Sequence, residues 1–484
     1  MKVLKNILYK VTLETVVGDT GININTIQFD SRKIDANDVF IAIRGHVVDG
    51  HDYIESALNK GASAVIVEEL PNDFRDNVTY LKVSDSSIAL AIMASNYYES
   101  PSENLKLIGV TGTNGKTTIA SLLYELFKKA GYKVGLISTV KIIINDTVYE
   151  STHTTPDSLA INQFLHKMNV QGVEFCFMEV SSHGIHQNRT KGLHFLGGIF
   201  TNLSHDHLDY HETFSEYRDV KKMFFDELPS SSFSLVNADD KNGLFMLQNT
   251  SSKTHTYALK TIADYRARIL ENQFNGLLLN INGNEVWTKL IGNFNAYNVL
   301  AIYGTANLLG LESSEVLRLL SELESVRGRF QYLISNNITA IVDYAHTPDA
   351  LKNVLETINS IRTKNEDLIT VIGCGGDRDK TKRPKMANIA SALSSKVIFT
   401  SDNPRTELPE QIIQEMEIGV APQNFKKTLS ITDRKQAIHT ACQLAQPHDI
   451  ILVAGKGHET YQEINGTRNS FDDYKILETY LKNI

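Results

Sequence analysis

The stretch Val110-Thr111-Gly112-Thr113-Asn114-Gly115-Lys116-Thr117-Thr118 decides the fold. The apolar run Leu105 to Val110 before it reads as a buried strand. After it, Ile119-Ala120-Ser121-Leu122-Leu123-Tyr124-Glu125-Leu126-Phe127 carries apolar residues at helical spacing, and Gly131 is placed to end the helix. Strand, glycine-rich loop and helix N-terminus in that order make an anion site. Backbone N–H groups cradle phosphate oxygens, Lys116 supplies a point charge, and the Thr117 hydroxyl reaches a magnesium ion. The strict Walker pattern asks for glycine at position 110, where valine stands. An ordinary glycine turn is the bland alternative, and the strand–loop–helix setting disfavours it. A nucleoside triphosphate is therefore expected on Gly112, Thr113, Asn114, Gly115, Lys116, Thr117 and Thr118.

At 484 residues the chain has room for two to four domains, each with its own core. Charged residues at 21% and apolar residues at 42% describe a soluble globular protein. No apolar stretch is long enough for a membrane span, and Met1-Lys2-Val3-Leu4-Lys5-Asn6 opens no signal peptide. Cys176, Cys374 and Cys442 lack metal-ligand spacing, which fits a reducing cytoplasm. A net charge of -8 argues against nucleic acid as a partner. A cytoplasmic monomer is expected.

Three α/β blocks follow from a walk along the chain: 1–104, 105–328 and 329–484. The first mixes short strands and turns and carries Asp30-Ser31-Arg32 and Asp49-Gly50-His51. The second alternates strand and helix through Phe175–Val180, Gly198–Asn202 and Phe233–Asn237. Its later part predicts a hairpin over Leu270 to Leu290 turning at Asn282-Gly283, then a helix from about Ala296. The third shows four apolar strands, Thr339–Val342, Leu368–Ile372, Lys396–Thr400 and Asp449–Val453. Each ends in a polar cluster: Asp343 to Asp349, Gly373 to Asp379, Ser401 to Glu407, and Ala454 to Glu459. Ligands bind outside the carboxyl ends of parallel strands, so four such clusters on one rim predict a substrate site.

Metal candidates lie in the second block. Glu179 ends the apolar strand Phe175-Cys176-Phe177-Met178, placed like the carboxylate that faces magnesium in phosphate-loop enzymes. His205-Asp206-His207-Leu208-Asp209-Tyr210-His211 invites a zinc reading. Zinc favours a closed N/S set, however, whereas a nearby triphosphate and Glu179 favour hard-oxygen coordination of magnesium.

Together these motifs resemble the Mur ligases, the ATP-dependent amino-acid-adding enzymes of peptidoglycan synthesis. The resemblance spans the chain through Gly112 to Thr117, Glu179-Val180-Ser181-Ser182-His183, Asp206-His207-Leu208-Asp209, Gly292-Asn293-Phe294-Asn295 with Asn298, and Asp343-Tyr344-Ala345-His346. Within the family it is nearest to the group that adds the third residue of the stem peptide. Asp30-Ser31-Arg32, Thr154-Thr155-Pro156-Asp157, His183 through Arg189, Gly375 to Asp379 and Gly455 to Glu459 carry that likeness.

The resemblance implies an N-terminal UDP-binding domain, a central phosphate-loop ATPase domain and a C-terminal Rossmann-like domain. It implies ATP and Mg2+, with Asn293, Arg329, Asp343 and His346 joining the phosphate loop around the nucleotide. The acceptor would be UDP-N-acetylmuramoyl-L-alanyl-D-glutamate, held by Ser31, His51, Thr154, Thr155, Ser181, Gln187 and Arg189. The added amino acid would be meso-diaminopimelate, met by Arg378, Asp402, Asn403, Pro404, Arg405, Gly455 and Glu459. Thr117, Glu179 and His207 would bind metal, and Lys116, Lys221 and His207 would serve catalysis. Mur ligases carbamylate a lysine four residues after a tyrosine. Tyr217-Arg218-Asp219-Val220-Lys221-Lys222 puts Lys221 at that spacing, on the same helical face as the tyrosine. Without the family, two solvated lysines would be the preferred reading. Three alternatives stay open: L-lysine as the added amino acid, a folylpolyglutamate synthetase-like ligase, and a phosphate-loop switch or motor.

Overall fold

The computed structural model describes residues 1–45, 48–204 and 210–483, and they form a three-domain α/β protein with a separate sheet in each domain. In the N-terminal domain five strands run in the order Thr15–Val17, Thr79–Lys82, Ala64–Val67, Val39–Ile41, Ile27–Gln28. All neighbours are parallel except the first pair. Strand alternation splits its core over two faces. Val39, Ile41, Ile66 and Leu81 pack on one side, and Phe40, Val65, Val67 and Tyr80 on the other.

Eleven strands form the central sheet. The phosphate-loop strand Lys106–Thr111 lies inside it, flanked in parallel by Phe175–Glu179 and Gly197–Phe200. Glu179 pairs with Val110, so its carboxylate leaves the same edge as the loop. Burial on both faces explains why these strands are continuous apolar runs. The helices Lys116–Lys129, Asn293–Leu308 and Ser313–Glu322 cover one face, and Ser158–Val170 and Phe214–Asp226 cover the other.

The expected hairpin turns at Asn282-Gly283, where both residues have positive φ (48° and 95°). It is the second half of a three-stranded antiparallel ribbon that begins at Tyr265–Gln273. The helix expected from Ala296 starts a turn earlier, at Asn293, because Gly292 (φ 93°) redirects the chain there.

The C-terminal sheet has six strands in the order Gln331–Ser335, Ile338–Asp343, Ile450–Ala454, Leu368–Ile372, Lys396–Phe399, Thr428–Ser430. The four expected strands are its parallel centre. The outer two were not expected; both are edge strands with no fully buried residue, which weakens their apolar signal. Parallel pairing brings the polar clusters that follow the four central strands to one rim.

Candidate active site

The phosphate loop works through its glycines. Gly112 has φ 139°, and a Cβ there would stand 2.0 Å from Thr201 Oγ1. Gly115 has φ 90°, and a Cβ would stand 2.8 Å from Asn298 Oδ1. Any side chain at either position would displace the backbone that cradles an anion at the N-terminus of Lys116–Lys129. Asn202 fixes the loop from the neighbouring strand end: its carbonyl accepts from Thr113 N–H at 2.8 Å and its Oδ1 from Asn114 N–H at 3.0 Å. Thr113 Oγ1 lies 3.1 Å from the Tyr217 hydroxyl. Lys116 Nζ folds back to the carbonyls of Gly112 and Thr113, 2.8 Å from each. Thr118 is buried in the first helical turn.

Glu179, fully buried, is the hub next to this loop. It accepts from the Thr117 hydroxyl at 2.9 Å and from Thr139 through both N–H (2.7 Å) and hydroxyl (3.2 Å). Thr139 had no signal in the sequence. Its hydroxyl also lies 3.1 Å from Thr154 Oγ1. Thr155 donates to the Glu179 carbonyl at 2.9 Å and accepts from Ser181 N–H at 2.9 Å. Ser181 Oγ caps the helix Ser182–His186 by accepting from Gly184 N–H. Arg189 donates to the Thr155 carbonyl at 2.6 Å and, from two nitrogens, to Gln187 Oε1. Hydrogen bonds therefore run unbroken from the phosphate loop to Arg189.

Lys221 is buried and donates to the Gly112 carbonyl at 3.0 Å. Lys222 is also buried and pairs with Asp226. The picture of two solvated lysines is thereby corrected: the helix Phe214–Asp226 packs this face against the central sheet. His207, together with Asp206 and Asp209, lies outside the described residues. Among the described residues no group of three or more His, Cys, Asp or Glu is placed to hold a metal ion. The Thr117 hydroxyl and Glu179 carboxylate are hard oxygen donors 2.9 Å apart beside the anion loop, a donor set that fits magnesium.

The C-terminal domain closes against this site. Asn114 Nδ2 donates to Asp349 Oδ2 at 3.3 Å, and Arg329 Nη2 to the Thr117 hydroxyl at 3.2 Å. Asp343 accepts from Phe330 N–H at 2.6 Å; burial pushes its carboxyl up to about 6, opposed by the Arg329 charge. His346 Nδ1 lies 2.8 Å from the Tyr344 carbonyl. Asn293 is exposed at the start of its helix, 3.4 Å from Asn272 Nδ2.

On the C-terminal rim, Asn403 Nδ2 donates to Glu459 Oε2 at 2.8 Å. The buried Lys456 donates to both Asn403 Oδ1 and Glu459 Oε2 at 2.9 Å. Burial and the nearby Asp402 raise the Glu459 pKa against the pull of Lys456. Lys456 sits inside a quoted motif yet was not singled out. Asp402 is buried against Gly455, where a Cβ would stand 2.6 Å from its Oδ2, and lies 4.0 Å from Arg434. The Pro404 carbonyl packs on Gly376, so both shape the loop through backbone. Arg405 reaches the Gly376 carbonyl at 2.6 Å, and Arg378 is exposed, donating to the Asp377 carbonyl.

The two N-terminal candidates sit in well-built turns. Ser31 is buried, and its carbonyl accepts from Lys60 Nζ at 3.0 Å. His51 Nε2 accepts from Glu68 N–H at 2.9 Å, which leaves Nδ1 to donate to Asp49 Oδ1 at 2.6 Å. Its imidazole thus shapes the loop with both nitrogens engaged.

Residues 23–98 match the Mur ligase family catalytic domain, 110–306 the Mur ligase middle domain, and 328–457 the Mur ligase glutamate ligase domain. The UDP-N-acetylmuramoyl-L-alanyl-D-glutamate–2,6-diaminopimelate ligase of Cytophaga hutchinsonii is 54% identical over 99% of both chains. A solved structure of a ligase with that name is 32% identical, with a TM-score of 0.71 over 100% of this chain and 99% of that one. Folylpolyglutamate synthase from Thermotoga maritima shares the fold at 16% identity, with a TM-score of 0.60 over 76% of this chain and 90% of its own. With relatives this similar along its full length, and with the phosphate loop, Glu179 hub and substrate rim gathered as described, the chain belongs to the Mur ligase family of amide-forming ligases.

Proposed function

We propose that this enzyme joins meso-diaminopimelate to UDP-N-acetylmuramoyl-L-alanyl-D-glutamate at the expense of ATP, in peptidoglycan precursor synthesis. The domains divide at 1–104, 105–328 and 329–484, for acceptor, nucleotide and amino acid respectively. Consumption of ATP supports a cytoplasmic site of action, and no described helix is long and apolar enough to cross a membrane.

A carboxylate is a poor acylating agent because it would have to expel oxide. The D-glutamate side-chain carboxylate therefore attacks the γ-phosphorus of ATP. A bond forms from its oxygen to phosphorus, the bond to the bridging oxygen breaks, and ADP leaves. The neutral amine of the incoming amino acid then attacks the acyl-phosphate carbon, its nitrogen gives up one proton, and inorganic phosphate departs with the C–O bonding pair and can take up that proton. Such transfer depends on positioning and on cations that meet the accumulating charge. Lys116 and Arg329 lie at the loop and serve as such cations. Arg189, linked through Thr155 to Glu179, orients the acceptor carboxylate.

A bound magnesium ion would add positive charge at the phosphates. We assign Thr117, Glu179, His207 and a carbamate on Lys221 to holding it. Carbamylation joins the Lys221 nitrogen to carbon dioxide with loss of a proton. The nitrogen keeps one hydrogen, which remains available as a donor.

What carries the choice of amino acid is the rim at Gly375, where the Arg405 guanidinium and the aliphatic stem of Arg378 lie close together, with Glu459 on the same rim. The cations suit a distal carboxylate that L-lysine lacks, and Glu459 suits an ammonium. A guanidinium deprived of its carboxylate should cost lysine roughly 10²-fold in kcat/KM. The test is ADP release from ATP and UDP-linked dipeptide across an amino-acid panel. Meso-diaminopimelate should be preferred, and Arg405→Ala should erase the preference. Equal use of lysine by the wild-type enzyme would refute this assignment.

A further inference from the structure

The loops that follow Leu368–Ile372 and Lys396–Phe399 are bonded into one piece. Gly376 N–H donates to the Asn403 carbonyl at 2.9 Å, Arg405 Nη1 to the Gly376 carbonyl at 2.6 Å, and the Thr406 hydroxyl to Asp377 Oδ1 at 2.7 Å. Beneath them lies a knot of charge to which the chemistry above assigns no role. Arg383, fully buried on the helix Lys382–Leu393, donates from Nη1 and Nη2 to the two oxygens of Glu407 at 2.9 and 2.8 Å. It also donates to Glu415 at 2.6 Å and to the Gly375 carbonyl at 3.2 Å. Glu407 in turn accepts from Asp377 N–H at 2.6 Å and lies 3.2 Å from Lys380 Nζ. One carboxylate on the second loop thus grips the backbone of the first and the helix below both.

Two residues in this piece, Asp377 (φ 53°) and Arg405 (φ 52°), hold left-handed backbone conformations. Non-glycine residues stay there where their surroundings over-determine them, as at ligand clamps. The same piece carries both arginines assigned to the amino acid. A Cβ at Gly375 would stand 3.0 Å from Arg405 Nη1 and 3.9 Å from Arg378 Cγ. Bidentate carboxylate recognition tolerates little displacement of a guanidinium.

We propose that Glu407, seated on Arg383, is a positioning residue for amino-acid selectivity, holding the two loops so that Arg378 and Arg405 meet the distal carboxylate together. This rests on the function proposed above. A purely architectural role would lower the melting temperature and leave the kinetics of each substrate alone.

The test measures KM and kcat of full-length Glu407→Gln for meso-diaminopimelate, L-lysine, ATP and the UDP-linked dipeptide. KM for meso-diaminopimelate should rise about tenfold and its advantage over lysine shrink in proportion, with the KM values for ATP and dipeptide within about twofold of wild type. Thr406→Val is exposed, spares the buried knot and removes one clamp on Asp377; it should shift the same parameters less. Should Glu407→Gln fail to fold, Thr406→Val alone decides. Wild-type selectivity in the folded variants overturns the proposal, as does an equal rise in all KM values. A wild-type enzyme that does not discriminate overturns the proposed function as well, which separates the two failures.

Discussion

Arg329 Nη2 donates to the Thr117 hydroxyl at 3.2 Å, from the start of the C-terminal sheet unit to the first turn of the phosphate-loop helix. Its guanidinium also lies over the Tyr344 ring, 4.5 Å from the centroid. Two cations beside the glycine-rich loop therefore come from different domains, Lys116 from the central one and Arg329 from the C-terminal one. Under the function proposed above, both cations reach the transferring phosphoryl only when the two domains meet.

Lys116→Ala should lower product formation by at least about 10²-fold, because the charge that stabilises the transferring phosphoryl is gone while the loop backbone stays. Steady-state ADP release from folded protein measures it. A wild-type rate would show that another group supplies the charge.

Lys221→Ala should be nearly inactive and recover in part with acetate or formate, which can replace the carbamate carboxylate. Wild-type activity should fall when bicarbonate and carbon dioxide are rigorously removed. A crystal structure with nucleotide and magnesium bound and an unmodified lysine at this position would end the carbamate assignment.

Arg189→Ala should raise the acceptor KM or abolish turnover while ATP affinity stays within about twofold, because the guanidinium contacts Thr155 and Gln187 and not the phosphate loop. Equal loss of ATP affinity would mean that the central domain has collapsed.

His458 gives the C-terminal domain a pH dependence. Burial and the charges of Arg329 and Arg327 push its imidazole down to about 3, against 6.5 in an exposed histidine. Between those values the unfolded chain binds a proton that the native protein does not, so this term is intact above pH 6.5 and is lost progressively as pH falls towards 3. His458→Phe preserves a ring to stack on Tyr344 and should resist unfolding by urea at pH 5, relative to wild type, better than it does at pH 8. Parallel pH profiles for the two proteins would exclude the effect.

What was legible in the sequence follows from burial. The strand before Gly112 and the four central C-terminal strands are predominantly apolar because both faces are covered, and glycine and polar clusters mark their ends. Strands with solvent-exposed faces escaped notice. Gln331–Ser335 is half-exposed, and Tyr265–Gln273 places Arg266, Arg268 and Glu271 in solvent, which dilutes any strand signature. In the site, residues in contiguous motifs could be named from the sequence, whereas partners brought together by folding could not. Thr139 meets Glu179 across 40 positions and Arg383 meets Glu407 across 24, and neither pair has a local pattern. Lys221 came from the family resemblance, since its burial is set by the packing of its whole helix.

The hydrogen bond from Asn114 to Asp349 joins the phosphate loop to the first turn of the helix Pro348–Ile361 in the C-terminal domain. Under the function proposed above, it enters the affinities of nucleotide and amino acid at once. If nucleotide binding breaks or tightens this bond, the amino-acid rim moves with it. Linkage then requires the amino acid to change nucleotide affinity by the same factor. The coupling between the two substrates is in that sense a thermodynamic property of the interface, and it can be read from nucleotide titrations with and without amino acid before any turnover occurs.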